Sequence, residues 1–83
     1  MKIEQIFIGR KVKTNRDFVS VPKGTMGVID EDYGTGITVA WNLKDRPLPK
    51  DYVKWDGKPA IWPEQPLRDG FDKETELQFL EVI

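Results

Sequence analysis

Alternation of apolar and polar residues marks the clearest structural element, which covers residues 37–42. Every second side chain there falls on one face of an extended strand: Ile37, Val39 and Trp41. Residues 24–32 read as the preceding strand. Between the two strands, Tyr33-Gly34-Thr35-Gly36 offers two glycines for the positive φ angles of a tight turn. The pattern therefore predicts a β-hairpin.

Shorter patterns predict the elements on either side of this hairpin. Residues 9–14 read as a first strand opened by a glycine, and residues 15–23 as an irregular loop, because Pro22 lacks the N–H of a ladder residue. Near the other end, Asp69-Gly70-Phe71 fits a turn, and Asp72 fits the N-cap of a single helical turn. Residues 77–83 fit a closing strand, although the leucine spacing there also fits a longer C-terminal helix that begins at Asp72.

Residues 43–68 have a different composition. They hold five of the six prolines and two of the three tryptophans, a spacing that disfavours a sustained helix. A loop of this length without structure of its own is uncommon in a compact domain. Because the segment also carries Tyr52, Trp55 and Trp62, we expect it to fold back onto the body of the domain. Within it, residues 58–62 fit a short strand and Asp56-Gly57 fits a turn.

Length and composition indicate one small domain that covers residues 1–83. Eighty-three residues with 39% hydrophobic side chains suffice for one core and leave no room for a second. The chain has no apolar run of about 18 residues that would cross a membrane, and its N-terminus lacks the pattern of a secretion signal. We therefore expect a cytoplasmic protein.

The residue types present limit the chemistry. The chain has no cysteine and no histidine, which removes thiol chemistry, the commonest general base and most transition-metal sites. The densest carboxylate run is Asp30-Glu31-Asp32, in which Asp30 and Asp32 would share one face of a strand. It lacks EF-hand spacing and is interpreted as a solvated strand end. We expect no enzymatic activity, no cofactor and no metal site.

Three phrases carry a resemblance to a known fold: Gly9 to Val12, Pro-Lys-Gly-Thr-Met-Gly-Val-Ile at 22–29, and Gly-Ile-Thr-Val-Ala-Trp-Asn at 36–42. They resemble SH3-like barrels, such as Mib/HERC2-type modules, KOW-type modules and small cyanobacterial electron-transfer docking subunits. The resemblance omits residues 43–68. It implies an all-β, five-stranded SH3-like barrel with a Pro/Trp-rich insertion before a short helical turn and a closing strand. Since this fold hosts many functions, it leaves the function open.

Aromatic side chains near the prolines suggest a protein-docking surface. SH3 domains grip extended peptides with loop aromatics, and interface hot spots favour Trp, Tyr and Arg. We assign Trp41, Phe71 and Phe79 to the core, and Tyr52 and Trp55 to half-exposed anchors. The predicted function is a non-catalytic interaction module that docks on another, unidentified protein through the insertion and the 15–23 loop. Its candidate contact residues are Arg16, Phe18, Tyr33, Lys50, Tyr52, Lys54, Trp55 and Trp62.

The alternative function is RNA or DNA binding by the basic N-terminal third. Residues 1–27 hold six basic residues against two acidic ones, whereas residues 69–83 hold five acidic residues against one basic. The two ends can pair in space, or the basic residues can meet phosphates while Phe18 stacks on a base. The net charge of -1 is unlike that of a typical nucleic-acid binder. The candidate residues are Arg10, Lys11, Lys13, Arg16 and Lys23. In either case we expect a monomer or weak oligomer without membrane contact.

Overall fold

The computed structural model of the chain describes residues 1–49, 52 and 66–83. Within these residues the chain forms five β-strands and short 3-10 helical turns. The strands are β1 (Lys11–Thr14), β2 (Met26–Asp32), β3 (Gly36–Trp41), β4 (Arg68–Asp72) and β5 (Leu80–Val82), and the 3-10 turns are Ile3–Gln5 and Leu77–Phe79. In the described part, every helix falls short of the length and apolar character needed to cross a bilayer.

The strands form one antiparallel sheet in the order β4-β3-β2-β1-β5. Strands β1 to β4 pair in chain order, and β5 returns to pair with β1, so the sheet curls into a half-barrel. The predicted hairpin is confirmed as β2 and β3, where Val28 faces Ala40. In its turn, the N–H of Tyr33 donates to the carbonyl of Gly36 at 3.0 Å. Gly34 has a φ of 91° there, a conformation that glycine adopts without steric cost.

Strand β4 is the element that the sequence pattern missed. Asp69-Gly70-Phe71 reads as a turn, yet these residues pair in register with residues 37–39 of β3. Phe71 is the one buried residue of β4, so the strand offers no alternation to detect. The prediction of a turn is wrong because pairing with β3 orders this segment against its weak local propensity.

Asp72 ends β4 and begins the turn toward the closing strand. Its carboxylate accepts hydrogen bonds from the N–H groups of Glu74 at 2.7 Å and Thr75 at 3.1 Å. Asp72 therefore caps the turn at residues 73–76, whereas the N-cap of the helical turn is Glu76, so the predicted helix N-cap is only partly correct. The chain then forms the 3-10 turn Leu77–Phe79 before it enters β5. The predicted closing strand is therefore confirmed only from Leu80 onward, and the longer C-terminal helix is wrong.

One face of the sheet, called the inner face, carries the main hydrophobic core. Trp41 and Phe71 are buried there as predicted, with ring centroids 6.0 Å apart in an edge-to-face arrangement. The indole N–H of Trp41 donates to Asp69 Oδ2 at 2.7 Å, so its polar atom is satisfied. Phe79, the third predicted core aromatic, is only partly buried. The other buried members are Val12, Val21, Ile29, Ile37, Val39, Leu77 and Leu80.

Gly27 allows β2 and β3 to pack closely against the inner core. A Cβ atom at this position would lie 2.6 Å from the Ala40 carbonyl oxygen and 2.8 Å from the Trp41 ring. Both distances are shorter than a real Cβ contact, and one of the atoms belongs to the backbone. The position therefore requires glycine for its size.

Candidate functional site

The start of the insertion covers part of the opposite, outer face of the sheet. Leu48 and Tyr52 pack there against Val28 and Ala40. The side-chain carbonyl of Asn42 accepts a hydrogen bond from the Leu48 N–H at 2.9 Å, which directs the chain as it leaves β3. Over its described part, the insertion thus folds back onto the sheet, as predicted.

Asp30 lies at the centre of a polar cluster on this outer face. The pairing of β2 with β3 shifts register between Ile29 and Glu31, so Asp30 is the extra residue of a β-bulge. Its carboxylate accepts hydrogen bonds from the Tyr52 hydroxyl at 2.5 Å and from Arg68 Nε and Nη2 at 2.7 and 3.1 Å. Only 2% of the Asp30 side chain is exposed, and the guanidinium supplies the opposite charge that its burial requires. We call Asp30, Tyr52 and Arg68 the outer clamp.

Two members of the outer clamp, Tyr52 and Arg68, have raised pKa values. Burial raises the pKa of the Tyr52 hydroxyl, and the hydrogen bond to Asp30 raises it further, so the phenol stays protonated and donates. The hydrogen bond to Asp30 also raises the pKa of Arg68. Through the hydrogen bonds to Asp30, the outer clamp ties β2, β4 and the insertion together.

The acidic residues at the end of β2 form ion pairs with basic side chains. Glu31 Oε1 lies 3.3 Å from Arg68 Nη2, and Asp32 Oδ1 lies 2.9 Å from Lys73 Nζ. The hydrogen bond from Lys73 lowers the pKa of Asp32. The bulge places Asp32 opposite Ile37, an inner-face residue. The expectations that Asp30 shares a face with Asp32 and is solvated are therefore wrong. Within the described ranges, no three potential metal ligands cluster together.

The 15–23 loop lies between β1 and β2 without a strand or helix, as predicted, and contains one tight turn. Phe18 and Val21 pair through two backbone hydrogen bonds of 2.8 and 3.0 Å, with Val19 and Ser20 at the tip. Ser20 has a φ of 66°, which is uncommon for a residue other than glycine. Val19 is 93% exposed. The loop thus presents an apolar side chain on an ordered but strained turn.

The 15–23 loop and the insertion meet at a groove of about 230 Å³, which we call the loop groove. The insertion contributes a second tight turn, in which Leu43 and Arg46 pair through two backbone hydrogen bonds. The groove is lined by Ser20, Leu43, Asp45, Arg46 and Leu67. The structure therefore brings together the two segments that the sequence assigned to docking.

Two predicted contact residues lie on the 15–23 loop. Arg16 is exposed, and its guanidinium carbon lies 4.3 Å from the ring centroid of Phe79. Phe18 is partly buried and makes edge contacts with Phe71 and Phe79 at centroid distances of 5.8 and 6.1 Å. Arg16 is accessible to a partner, whereas Phe18 mainly extends the core.

Tyr33 is 51% exposed, but its ring has a structural role. Its hydroxyl end lies so close to Gly36 that a Cβ atom there would overlap it, and a Cβ atom at Gly70 would lie 3.2 Å away. The tyrosine thus covers backbone that two strand glycines leave without side chains. The predicted contact of Tyr33 with a partner stays a prediction.

Tyr52 is the main correction to the predicted docking surface. Only 3% of the residue is exposed, and its hydroxyl belongs to the outer clamp, so the prediction of a half-exposed anchor is wrong. Its position over Val28 and Ala40 supplies the physical reason, because the ring completes an apolar cluster there. The remaining predicted contact residues lie outside the described residues: Lys50, Lys54, Trp55 and Trp62. The same holds for the predicted strand at 58–62 and the predicted turn at Asp56-Gly57.

The basic residues of the nucleic-acid hypothesis have varied surroundings. The Arg10 guanidinium lies 5.1 Å from the ring centroid of Phe7, and Arg16 lies over Phe79. Lys13 Nζ is 4.0 Å from Glu81, because β1 and β5 are neighbours. The predicted meeting of the basic and acidic ends is confirmed at this contact. Lys11 and Lys23 are exposed. Nucleic-acid binding itself stays a prediction.

A larger groove of about 400 Å³, which we call the outer groove, lies on the outer face beside the clamp. Its described walls include Lys11, Met26, Val28, Leu48, Pro49 and Ile83. Sequence reasoning missed both the outer groove and the outer clamp. The available signal was weak: Met26 and Val28 occupy the face of β2 that alternation assigns to solvent.

Comparisons with known proteins do not identify the chain. No protein-family model matches it, and searches of curated proteins and of solved structures found no significant match.

Proposed function

We propose that the chain is an SH3-like barrel and works as a non-catalytic module that docks on another protein through its loop face. The loop face consists of Arg16, Val19, Ser20, Asp45 and Arg46. The chain order supports the fold assignment: β1, the 15–23 loop, the β2–β3 hairpin, the insertion, β4, a 3-10 turn and a closing strand beside β1. This is the order on which the resemblance rests, except that β4 replaces the expected turn.

The observation that carries the docking proposal is the loop groove beside the exposed Val19. Two ordered tight turns, one from the 15–23 loop and one from the insertion, contribute its walls. Val19 is 93% exposed, so its burial by a partner would contribute up to about 2 kcal/mol. An apolar tip beside a groove that carries Asp45 and Arg46 offers a hydrophobic contact with a polar rim.

The conformation of Ser20 adds a second argument. Strained backbone conformations concentrate at binding sites, where the surrounding structure holds them. Here the two hydrogen bonds between Phe18 and Val21 close the turn around Ser20. A turn that is already ordered loses little conformational entropy when a partner binds, so a modest contact area suffices for recognition.

Capture by the immobilised protein from native lysate tests the proposal, provided that the captured protein is then identified and titrated as a purified component. Val19→Asp and Arg46→Glu should each weaken its binding at least tenfold, because they place charge in the apolar contact or reverse charge at the rim. Lys2→Glu, a charge change at a residue that does not line the loop groove, is the matched control. Circular dichroism should show that all variants keep the fold.

Two results would contradict docking through the loop face. The first is a purified partner that binds the wild type and both loop-face variants equally. The second is capture that nuclease treatment abolishes and that Arg10→Glu and Lys23→Glu weaken, because these basic residues lie outside the loop face and this result would assign the function to the basic N-terminal third.

A further inference from the structure

The outer groove is an apolar depression with accessible walls. Two of its lining side chains, Met26 and Ile83, are 52% and 58% exposed. Leu48, Pro49 and Tyr52 of the insertion also line it. Its volume of about 400 Å³ falls within the range of roughly 300–1,000 Å³ that is typical of binding pockets. The depression is therefore large enough to receive several apolar side chains.

The charged side chain of the described lining is that of Lys11. Lys11 is exposed on the outer face of β1, directly across from Val28. Within the described ranges, no carboxylate lies within 4.0 Å of its ammonium group. The next lysine on this face, Lys13, differs because it has Glu81 beside it at 4.0 Å. The groove thus combines apolar walls with a lysine that has no ion-pair partner among the described residues, although the whole chain carries a net charge of -1.

Asn42 adds a hydrogen-bond donor to the same groove. Its side-chain oxygen accepts from the Leu48 N–H at 2.9 Å, which orients the amide. In the part of the chain that the structure describes, its side-chain nitrogen donates to no protein group. An ammonium and an amide N–H₂ beside an apolar floor suit a segment in which carboxylates alternate with large apolar side chains.

We infer that the outer groove binds an acidic, apolar segment of a partner protein. The apolar side chains of the segment occupy the space between Met26, Leu48 and Ile83, and an aspartate or glutamate of the segment pairs with Lys11. This binding is separate from docking through the loop face, because the two grooves share no lining residue. Either surface can therefore fail without the other.

The test uses short blocked peptides in which aspartate alternates with leucine or phenylalanine, and matched peptides with lysine in place of aspartate. Binding is followed by chemical-shift changes in the uniformly ¹⁵N-labelled full chain. We expect the acidic peptides to shift the amides of Lys11, Met26, Val28 and Ile83 and to bind more tightly than the lysine peptides. Raised salt should weaken the acidic peptides, since the ion pair is exposed.

Variants separate the charge contribution from the apolar one. Lys11→Glu should weaken the acidic peptides by about fivefold and remove their advantage over the lysine peptides. Met26→Gln should weaken both peptide sets, because it removes an apolar wall. Lys2→Glu and the loop-face variant Val19→Asp are the controls and should bind the acidic peptides as the wild type does.

Three results would overturn the inference. The first is that no acidic peptide shifts the groove amides at millimolar concentration. The second is equal binding of acidic and lysine peptides by the wild type, which would show that Lys11 selects nothing. The third is movement of the same amides with protein concentration alone, which would assign the groove to a second copy of this chain. Peptide shifts confined to the loop groove would leave docking through the loop face standing and reject the outer groove.

Discussion

The two faces of the sheet are stabilised in different ways. The inner face is a continuous apolar core, and the indole N–H of Trp41 donates a hydrogen bond to Asp69. The outer face has a smaller apolar cluster around Val28 and Ala40, beside a buried carboxylate with two donor residues. The stability of the inner face comes from its buried apolar area. The outer face is also stabilised by hydrogen bonds to Asp30, and it loses stability when one of these bonds is removed.

This difference affects how each face responds to substitution. An apolar core loses stability roughly in proportion to the volume removed. A buried polar cluster loses most when one partner is removed, because the others are left unsatisfied, and less when all partners are replaced together. The four predictions below test this contrast.

The largest effect is expected on the inner face. Trp41→Ala removes the largest fully buried side chain and should lower the free energy of unfolding by about 3–5 kcal/mol. Trp41→Phe, which keeps most of the volume, should cost less than half as much. Urea denaturation followed by far-ultraviolet circular dichroism measures both. A loss below about 1 kcal/mol for the alanine variant would mean that the inner face does not dominate stability.

Removal of the central carboxylate should be the next largest effect. Asp30→Ala leaves Arg68 and the Tyr52 hydroxyl without their shared acceptor and should cost about 2–3 kcal/mol. The value is below that for a fully buried ion pair, because the Arg68 side chain is 30% exposed. The same urea titration provides the measurement.

Replacement of the whole outer clamp provides the control for this prediction. In the triple variant Asp30→Leu, Arg68→Met and Tyr52→Phe, no clamp member keeps an unpaired charge or hydroxyl. At least half of the stability lost in Asp30→Ala should return. If the triple variant is instead less stable than Asp30→Ala, the outer clamp contributes net stability, and the contrast between the faces is weaker than stated.

Tyr52→Phe should have a smaller effect. It removes the hydroxyl that donates to Asp30 at 2.5 Å but leaves the ring against Val28 and the carboxylate on Arg68. We expect a loss of about 1 kcal/mol. Tyr52→Ala, which also removes the ring, should cost clearly more, and equal losses for the two variants would contradict the packing role of the ring.

The smallest effect concerns the exposed pair of Asp32 and Lys73 and appears as a pH dependence. The pKa of Asp32 is lowered in the folded state, so the pair stabilises the fold above the unfolded pKa of about 3.9 and loses this contribution as pH falls through the lower folded value. Lys73→Met should therefore flatten the decline of stability in acid. At neutral pH it should cost about 0.5 kcal/mol or less, because the Asp32 side chain is 38% exposed.

Urea midpoints measured from neutral pH down to about pH 3 in wild type and Lys73→Met provide the comparison. Lys44→Met, a lysine without an ion pair in the described residues, is the matched control. Identical acid profiles for wild type and Lys73→Met would show that the pair contributes nothing measurable.

The predicted elements were correct where local pattern was strong. Residues 37–42 alternate cleanly, and the glycines at 34 and 36 mark the turn, so β2 and β3 were found. The aromatics Trp41 and Phe71 were assigned correctly to the core. In contrast, β4 has one buried residue and a glycine at its centre, so its order comes from pairing with β3. No periodicity within five residues could have revealed it.

The candidate surfaces were only partly predictable. The 15–23 loop and the insertion were chosen for their composition, and the loop groove joins them. Tyr52 was misassigned because an aromatic residue near prolines looks the same in sequence whether it faces solvent or covers a sheet. Its burial depends on Val28 and Ala40 beneath the ring and on Asp30, a residue 22 positions earlier that accepts a hydrogen bond from its hydroxyl.

By itself, the sequence determined the all-β character of the chain, the central hairpin, the inner aromatic core and the lack of thiol and imidazole chemistry, because these depend on residue type and short-range alternation. Tertiary structure alone decided that Asp30 is buried, that Tyr52 is covered and that Lys11 borders an apolar groove. Each of these depends on partners far apart in the chain, such as Asp30 with Arg68 and Lys11 with Ile83. A bulge that shifts the register by one residue changes which side chains meet, and such a shift has no signature in local hydrophobic pattern.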